Sequence, residues 1–186
     1  LFNAEYHSLS TIRSDTFGIT LTEELGKLPN LKYLILANDS AGWMNKDKLI
    51  INDKNFPKLE YLFLSNLENL TFQGSFKKLK TIFLKSHYLS EYDRYRRGAK
   101  IRTIEGIDKI IGLKKVYIQF NEYRNLREET VSNLLKNRSV EEIYFYSKKL
   151  RHDLDLYNAK ISCTQLKTLH LLIGDNIALP RDIKKC

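Results

Sequence analysis

The sequence is poor in cysteine, with only Cys163 and Cys186 among its 186 residues. Two cysteines this far apart make no disulfide framework, no zinc quartet and no CxxC redox motif. This usage favours a reducing compartment, so we expect a cytoplasmic protein, with a nuclear location as the alternative. Both thiols fall at a position that is elsewhere apolar, and we interpret them as buried structural cysteines rather than nucleophiles.

Long apolar runs and catalytic motifs are also missing. No stretch of 18 apolar residues predicts a membrane-spanning helix, and residues 1–10 do not resemble a signal peptide. The sequence contains no HExxH, GxSxG, GxGxxG or EF-hand pattern. The four histidines lie far apart and without metal-ligand spacing: His7, His87, His152 and His170. We therefore expect no enzyme activity, no cofactor and no metal site in these residues.

The charge balance is basic, with 31 Lys and Arg against 22 Asp and Glu and a net charge of +9. Such a balance favours acidic partners, nucleic acid or an anionic surface. The basic residues are spread along the whole chain, however, which is more typical of an ordinary solvated surface.

A hydrophobic repeat runs through the chain. The pattern L-x-x-L-x-L, with other apolar residues at some of its positions, occupies 31–36, 59–64, 79–84, 113–118, 140–145 and 166–171, with a weaker copy at 9–14. Successive copies start 20 to 34 residues apart. Self-similarity at such intervals predicts stacked structural repeats.

A second, mostly apolar position precedes each copy by three residues: Tyr6, Leu28, Phe56, Phe76, Ile110, Asn137 and Cys163. In addition, residues 21–28 align with residues 179–186, which places the end of the sequence within a further repeat. We therefore expect one domain over residues 1–186, with about seven irregular repeats, as a piece of a longer chain.

Each copy predicts one short strand. Alternation places the fourth and sixth residues on one face, and stacked copies then form a parallel sheet over a continuous core. Between copies, residues 125–137 predict a helix, with Asn125 as its cap and with Leu126, Val131, Leu134 and Leu135 on one face. The other connecting segments are expected to be single turns or extended chain.

These copies resemble the leucine-rich repeat family across nearly the whole chain. The resemblance implies an α/β solenoid, curved and right-handed, with its parallel sheet on the concave face and short helices, turns and loops on the convex side. It also implies protein recognition. The family pattern carries Asn or Cys at the ninth position, whereas only Asn121 matches here, so the repeats are irregular.

A narrower resemblance concerns plant intracellular immune receptors of the nucleotide-binding class. It rests on the unequal repeat lengths, on Phe56-Pro-Lys-Leu59 and on Leu179-Pro-Arg-Asp-Ile183. It implies a sensing region with a role in plant defense. Bacterial effectors and F-box substrate receptors carry similar irregular repeats and are the alternatives.

The concave face suggests a binding site. The residue between the two inward strand positions reads Arg13, Ile35, Phe63, Phe83, Tyr117, Tyr144 and His170, and other aromatic residues flank it: Tyr33, Tyr61 and Tyr146. Large apolar patches on a surface usually mark contacts. We predict that this face binds another protein or another domain of the same chain. The alternative is that aromatic residues simply favour strands.

A second contact is predicted in the longest repeat interval. Residues 87–102 join three tyrosines to five basic residues, namely Arg94, Arg96, Arg97, Lys100 and Arg102. Basic residues interleaved with aromatic ones suit phosphate contacts and base stacking, so nucleic-acid or anionic-surface binding is the alternative function. A solvated surface loop has the same composition.

Overall fold

The computed structural model describes residues 11–14, 27–36, 48–65, 69–86, 103–120, 128–147, 154–155, 164–173 and 177–178. They form an α/β fold of parallel strands with few helices. The strands are β1 (Thr11–Ser14), β2 (Tyr33–Leu36), β3 (Lys48–Asn52), β4 (Tyr61–Ser65), β5 (Asn69–Gln73), β6 (Thr81–Ser86), β7 (Thr103–Glu105), β8 (Lys115–Phe120), β9 (Glu142–Ser147), β10 (Leu154–Asp155), β11 (Thr168–Ile173) and β12 (Ile177–Ala178). The helices are a 3-10 helix (Ile107–Lys109) and α1 (Glu128–Lys136).

Seven strands form the larger sheet, in the order β1-β2-β4-β6-β8-β9-β11. Every pairing in it is parallel, and every strand comes from one copy of the hydrophobic pattern. Equivalent positions lie opposite each other, as Leu34 does to Leu62 and Leu62 to Ile82. The predicted strands and the parallel sheet are therefore confirmed.

A repeated pair of hydrogen bonds sets this register just before five of the strands, namely β4, β6, β8, β9 and β11. The carbonyl oxygen of Lys32 accepts the amide hydrogens of Glu60 and Tyr61, at 2.9 and 3.0 Å. The carbonyls of Glu60, Lys80, Lys114 and Glu141 each accept two amides of the following repeat in the same way. One pattern thus joins repeats of different length, because it involves only the residues at the strand entrance.

A second sheet, which the sequence did not predict, lies in the connecting segments. Its three parallel strands have the order β3-β5-β7, and a two-stranded pairing of β10 with β12 follows later in the chain. The buried residues of the three-stranded sheet join the core: Leu49, Ile51, Leu70, Phe72 and Ile104. The connecting segments therefore contribute a hydrogen-bonded layer and not only turns.

Helix α1 packs at the end of the three-stranded sheet. It confirms the predicted helix over Glu128–Lys136, whereas Asn125 and Leu126 lie outside the described residues. Three of its apolar residues are buried, namely Val131, Leu134 and Leu135. The buried Thr130 hydroxyl oxygen accepts the amide hydrogen of Ile104 on the edge strand β7, at 3.3 Å. A helix residue thus supplies an acceptor to a strand edge that would otherwise need another strand.

One hydrophobic core runs through the described repeats. The first, fourth and sixth pattern positions from 31 to 145 are all at most 4% exposed, and the position three residues before each copy is also buried, at Leu28, Phe56, Phe76 and Ile110. Leu166 and Leu169, in the last described copy, are partly buried against the same core. The predicted inward positions are confirmed.

Asn137 occupies that preceding position in its repeat, yet it is polar and only 1% exposed. Its amide nitrogen donates to the carbonyl oxygens of Ile107 and Ile110, at 2.7 and 2.9 Å. Its side-chain oxygen accepts the amide hydrogen of Ser139 at 2.8 Å, which forms an Asx turn. An apolar position of one repeat is therefore used to bind the backbone of the previous repeat.

Gly106 is required where the chain leaves β7 for the 3-10 helix. Its φ is 76°, a left-handed conformation that residues other than glycine rarely adopt. A Cβ atom there would also lie 2.3 Å from the carbonyl oxygen of Phe72. Any side chain at this position would therefore displace backbone of the neighbouring repeat.

No helix among the described residues is both long and apolar enough to span a membrane.

Candidate functional site

The predicted column lies on the face of the larger sheet opposite the core. Pairing places its members directly across from one another, in the order Arg13, Ile35, Phe63, Phe83, Tyr117, Tyr144 and His170. From Ile35 to Tyr144, their neighbours along each strand are buried, such as Leu62 and Leu64 beside Phe63. The structure therefore brings the members from Ile35 to His170 together on one face, as the alternation of the sequence predicts. We call Phe63, Phe83, Tyr117, Tyr144 and His170 the aromatic column.

The rings of the aromatic column stack on one another. Ring centroids lie 5.2 Å apart between Phe63 and Phe83, and 5.6 Å apart between Phe83 and Tyr117. The distance is 4.7 Å between Tyr117 and Tyr144, with 9° between the ring planes, and 5.9 Å between Tyr144 and His170. Five rings on five neighbouring strands thus form one continuous stack.

Stacking determines which part of each ring is exposed. Four of the rings are only partly exposed, and His170 at the end is exposed. Because the ring faces cover one another, the ring edges point away from the sheet. The stack also stabilises the strand pairs, since aromatic cross-strand pairs contribute up to about 1 kcal/mol each.

Two tyrosines extend the aromatic surface beside the column. Tyr33 and Tyr61 are paired residues on β2 and β4, with ring centroids 6.4 Å apart and a tilt of 44°. Tyr33 is 43% exposed, more than most apolar side chains in the described residues. Burial raises the pKa of Tyr61, and the nearby Tyr117 hydroxyl adds to the shift. Both tyrosines therefore lie where the sequence predicted a contact surface.

An ion pair that the sequence analysis missed borders the column. Lys115 and Glu142 face each other across β8 and β9, with 2.9 Å between Nζ and Oε1. The Tyr144 hydroxyl donates to the other carboxylate oxygen of Glu142 at 3.2 Å. The hydrogen bond from Lys115 lowers the pKa of Glu142, and the hydrogen bond to Glu142 raises the pKa of Lys115 and of Tyr144. Glu142 therefore stays charged and holds Tyr144 in the stack.

A second acidic residue lies at the entrance to β9. Glu141 contacts the ammonium groups of Lys114 at 2.6 Å and of Lys167 at 2.9 Å. These hydrogen bonds, first that from Lys114 and then that from Lys167, lower the pKa of Glu141 from 4.5 to about 2. The three charges cross-link three consecutive repeats.

The other border of the column is polar. Ser65, Lys85, Gln119 and Tyr146 occupy equivalent positions on consecutive strands. Ser65 is buried, while Lys85, Gln119 and Tyr146 are partly exposed. Lys85 makes no ion pair with any described residue, so it contributes positive charge beside Phe83.

Several predicted features lie outside the described residues. These are the second contact at Arg94, Arg96, Arg97 and Lys100, the cysteines at 163 and 186, and the histidines at 7, 87 and 152. Nucleic-acid binding through the second contact stays a prediction. Within the described parts of the chain, no three His, Cys, Asp or Glu residues are grouped so that they could hold a metal ion.

No protein-family model, curated protein or solved structure matches the chain.

Proposed function

We propose that the chain is a leucine-rich repeat solenoid that binds another protein, or another domain of its own chain, through the face bearing the aromatic column. The parallel sheet, one strand per hydrophobic copy, supports the solenoid. In such a solenoid this face is the concave one. Protein recognition without catalysis is the role that we assign to it, and an acidic partner fits the excess of basic residues.

The observation that carries this proposal is the stack of five rings on a sheet face away from the core. Aromatic side chains bury large areas at interfaces and are enriched among the residues that dominate binding energy. The rings are held by their neighbours, so a partner would immobilise few side chains on binding. A contact surface organised in advance is what a recognition module requires.

The biological setting that we propose is sensing by an intracellular immune receptor of the plant type. It rests on the resemblance of the repeats and on their unequal lengths. A bacterial effector or an F-box substrate receptor would use the same face in the same way, and the domain joined to the repeats distinguishes these settings.

Photocrosslinking tests whether this face is the binding surface. A benzophenone amino acid replaces Phe83 in the column or, as the matched control, Lys54, which is exposed in the turn after β3. We expect one partner to crosslink from position 83 and not from position 54. The proposal fails if both positions capture the same proteins equally.

The captured partner is then titrated against column variants. Phe83→Ala and Tyr117→Ala should each weaken binding by about tenfold or more, because truncating an aromatic hot spot at the centre of an interface costs about 2 kcal/mol or more. Urea unfolding of each variant shows that the chain is still folded. Unchanged affinity in folded variants would exclude the column as the binding site.

A further inference from the structure

The spacing of the aromatic column limits the shape of what can lie along it. The centroid intervals are 5.2, 5.6, 4.7 and 5.9 Å. An α-helix rises about 5.4 Å per turn, so it presents one side chain per turn at nearly this interval. The observed intervals scatter on both sides of that value, and a helix would stay in step with the rings over four turns.

An extended peptide does not stay in step. Its side chains on one face recur about every 6.7 Å, since a strand rises 3.3 to 3.4 Å per residue. Every interval in the column is shorter than this, by about 1 to 2 Å each. The differences add up, so an extended segment along the column loses alignment within a few rings.

The orientation of the rings disfavours nucleobases and sugars as ligands. Inside the stack the planes of neighbouring rings differ by only 9° to 29° and their faces are occupied. Nucleobases and sugars bind aromatic residues mainly through ring faces, whereas this column presents edges. Ring edges carry partial positive charge and accommodate apolar side chains and carboxylate oxygens.

The charges beside the column favour an acidic partner. Glu142 is already bound by Lys115 and by the Tyr144 hydroxyl. Lys85, next to Phe83 on the same face, has no ion pair within the described residues. The polar borders of the column therefore carry an excess of positive charge that a carboxylate would complement.

From these observations we propose that the aromatic column takes an amphipathic α-helix of about four turns, lying across the strands, with apolar residues on the rings and acidic residues toward Lys85. This inference rests on the proposed function, and it specifies the chemistry of the partner segment. Helix-in-groove recognition uses the same i, i+3/i+4, i+7 spacing of anchors.

Three synthetic peptides of equal length test the inference by fluorescence anisotropy at low salt. The first places leucine at i, i+4, i+7, i+11 and i+14, which spans four turns, with glutamate beside this stripe. The second has the same composition with leucine and glutamate alternating, and the third keeps the helical pattern with lysine in place of glutamate. We expect the first to bind at least tenfold more tightly than either of the others.

Variants of the chain locate the binding. Phe83→Ala should remove most of the affinity for the first peptide, and Lys85→Glu, which leaves the stack intact, should weaken it severalfold and improve binding of the lysine peptide. Lys54→Glu, in the exposed turn after β3, is the matched control and should change nothing.

The outcomes separate this inference from the proposed function. If the alternating peptide binds as well as the helical one, or if no peptide binds, the proposal that the partner segment is a helix is refuted. The crosslinking result still decides whether this face binds protein. If the lysine peptide binds as well as the glutamate peptide and Lys85→Glu has no effect, the proposal that the partner helix is acidic is refuted.

Discussion

The repeat pattern and the structure predict opposite effects on stability when Asn137 is replaced by leucine. The pattern places apolar residues at this position in four other described repeats, so it predicts that Asn137→Leu is neutral or stabilising. In the structure the Asn137 amide binds the carbonyls of Ile107 and Ile110 and accepts the amide hydrogen of Ser139. We expect Asn137→Leu to destabilise the fold.

The magnitude follows from these partners. Leaving the partly buried Ser139 amide without its acceptor costs about 1 to 3 kcal/mol, and the two carbonyls lose bonds that contribute about 1 kcal/mol each. The Ile107 and Ile110 carbonyls keep second donors, the Ile110 amide at 3.4 Å and the Ser139 hydroxyl at 2.9 Å, so they are not wholly unsatisfied. Burial of a leucine side chain returns about 2 kcal/mol. The net loss is about 1 to 3 kcal/mol for Asn137→Leu, and about 3 to 5 kcal/mol for Asn137→Ala.

Urea unfolding measures the difference. With a slope near 2 kcal/mol per molar, Asn137→Leu should lower the midpoint by about 0.5 to 1.5 M. Asn133→Leu is the matched control, because Asn133 lies on α1 and, within the described parts of the chain, its side chain makes only an exposed hydrogen bond, accepted from Lys136. It should change stability by less than about 0.5 kcal/mol. A midpoint for Asn137→Leu equal to or above that of the unchanged protein would refute the role assigned to this amide.

Three further changes test other contacts. Thr130→Val keeps the shape but removes the acceptor of the Ile104 amide, so the free energy of unfolding should fall by about 1 to 3 kcal/mol, and no change would show that this edge needs no acceptor. Gly106→Ala should destabilise by at least about 2 kcal/mol, because it adds left-handed strain to an overlap with the Phe72 carbonyl, and a folded variant of equal stability would contradict that geometry. The pKa of Glu141 is about 2 in the folded chain and near 4.5 when unfolded, so its contribution to stability is complete above pH 4.5 and lost as the pH falls toward 2. The stability difference between the unchanged protein and Glu141→Gln should therefore shrink over that pH range, which urea midpoints at a series of pH values measure.

The strands of the larger sheet could be predicted because their signal is local and repeated. Each copy of the pattern indicates which residues face the core. Equivalent positions of successive copies then pair with each other, which fixes the register, as for Phe83 and Tyr117. The Lys115–Glu142 ion pair follows from the same alignment, since both are third residues of their copies. That signal was present in the sequence.

The three-stranded sheet was harder to predict. Its strands are three to five residues long, and they pair residues separated by 21 or 34 positions in segments of unequal length. Leu70 and Phe72 alternate with polar residues, but so short an alternation is common in irregular chain. The stacking of the rings could not be predicted from the sequence either, because it depends on side-chain rotamers and not on which face a residue occupies.

The ends of the aromatic surface separate binding from structural stabilisation. Inside the stack a ring has two neighbours, so its loss affects the sheet as well as any interface. Among the described residues, the ring of Tyr33 has only a tilted contact, with Tyr61, and Tyr33 is 43% exposed. Tyr33→Ala should therefore leave the urea midpoint nearly unchanged. If the face binds a partner that extends to this end, the same change should still weaken binding to the crosslinked protein. If the aromatic surface only stabilises the sheet, Tyr33→Ala should leave the binding affinity unchanged. Tyr33 therefore tests the aromatic surface with the least interference from folding.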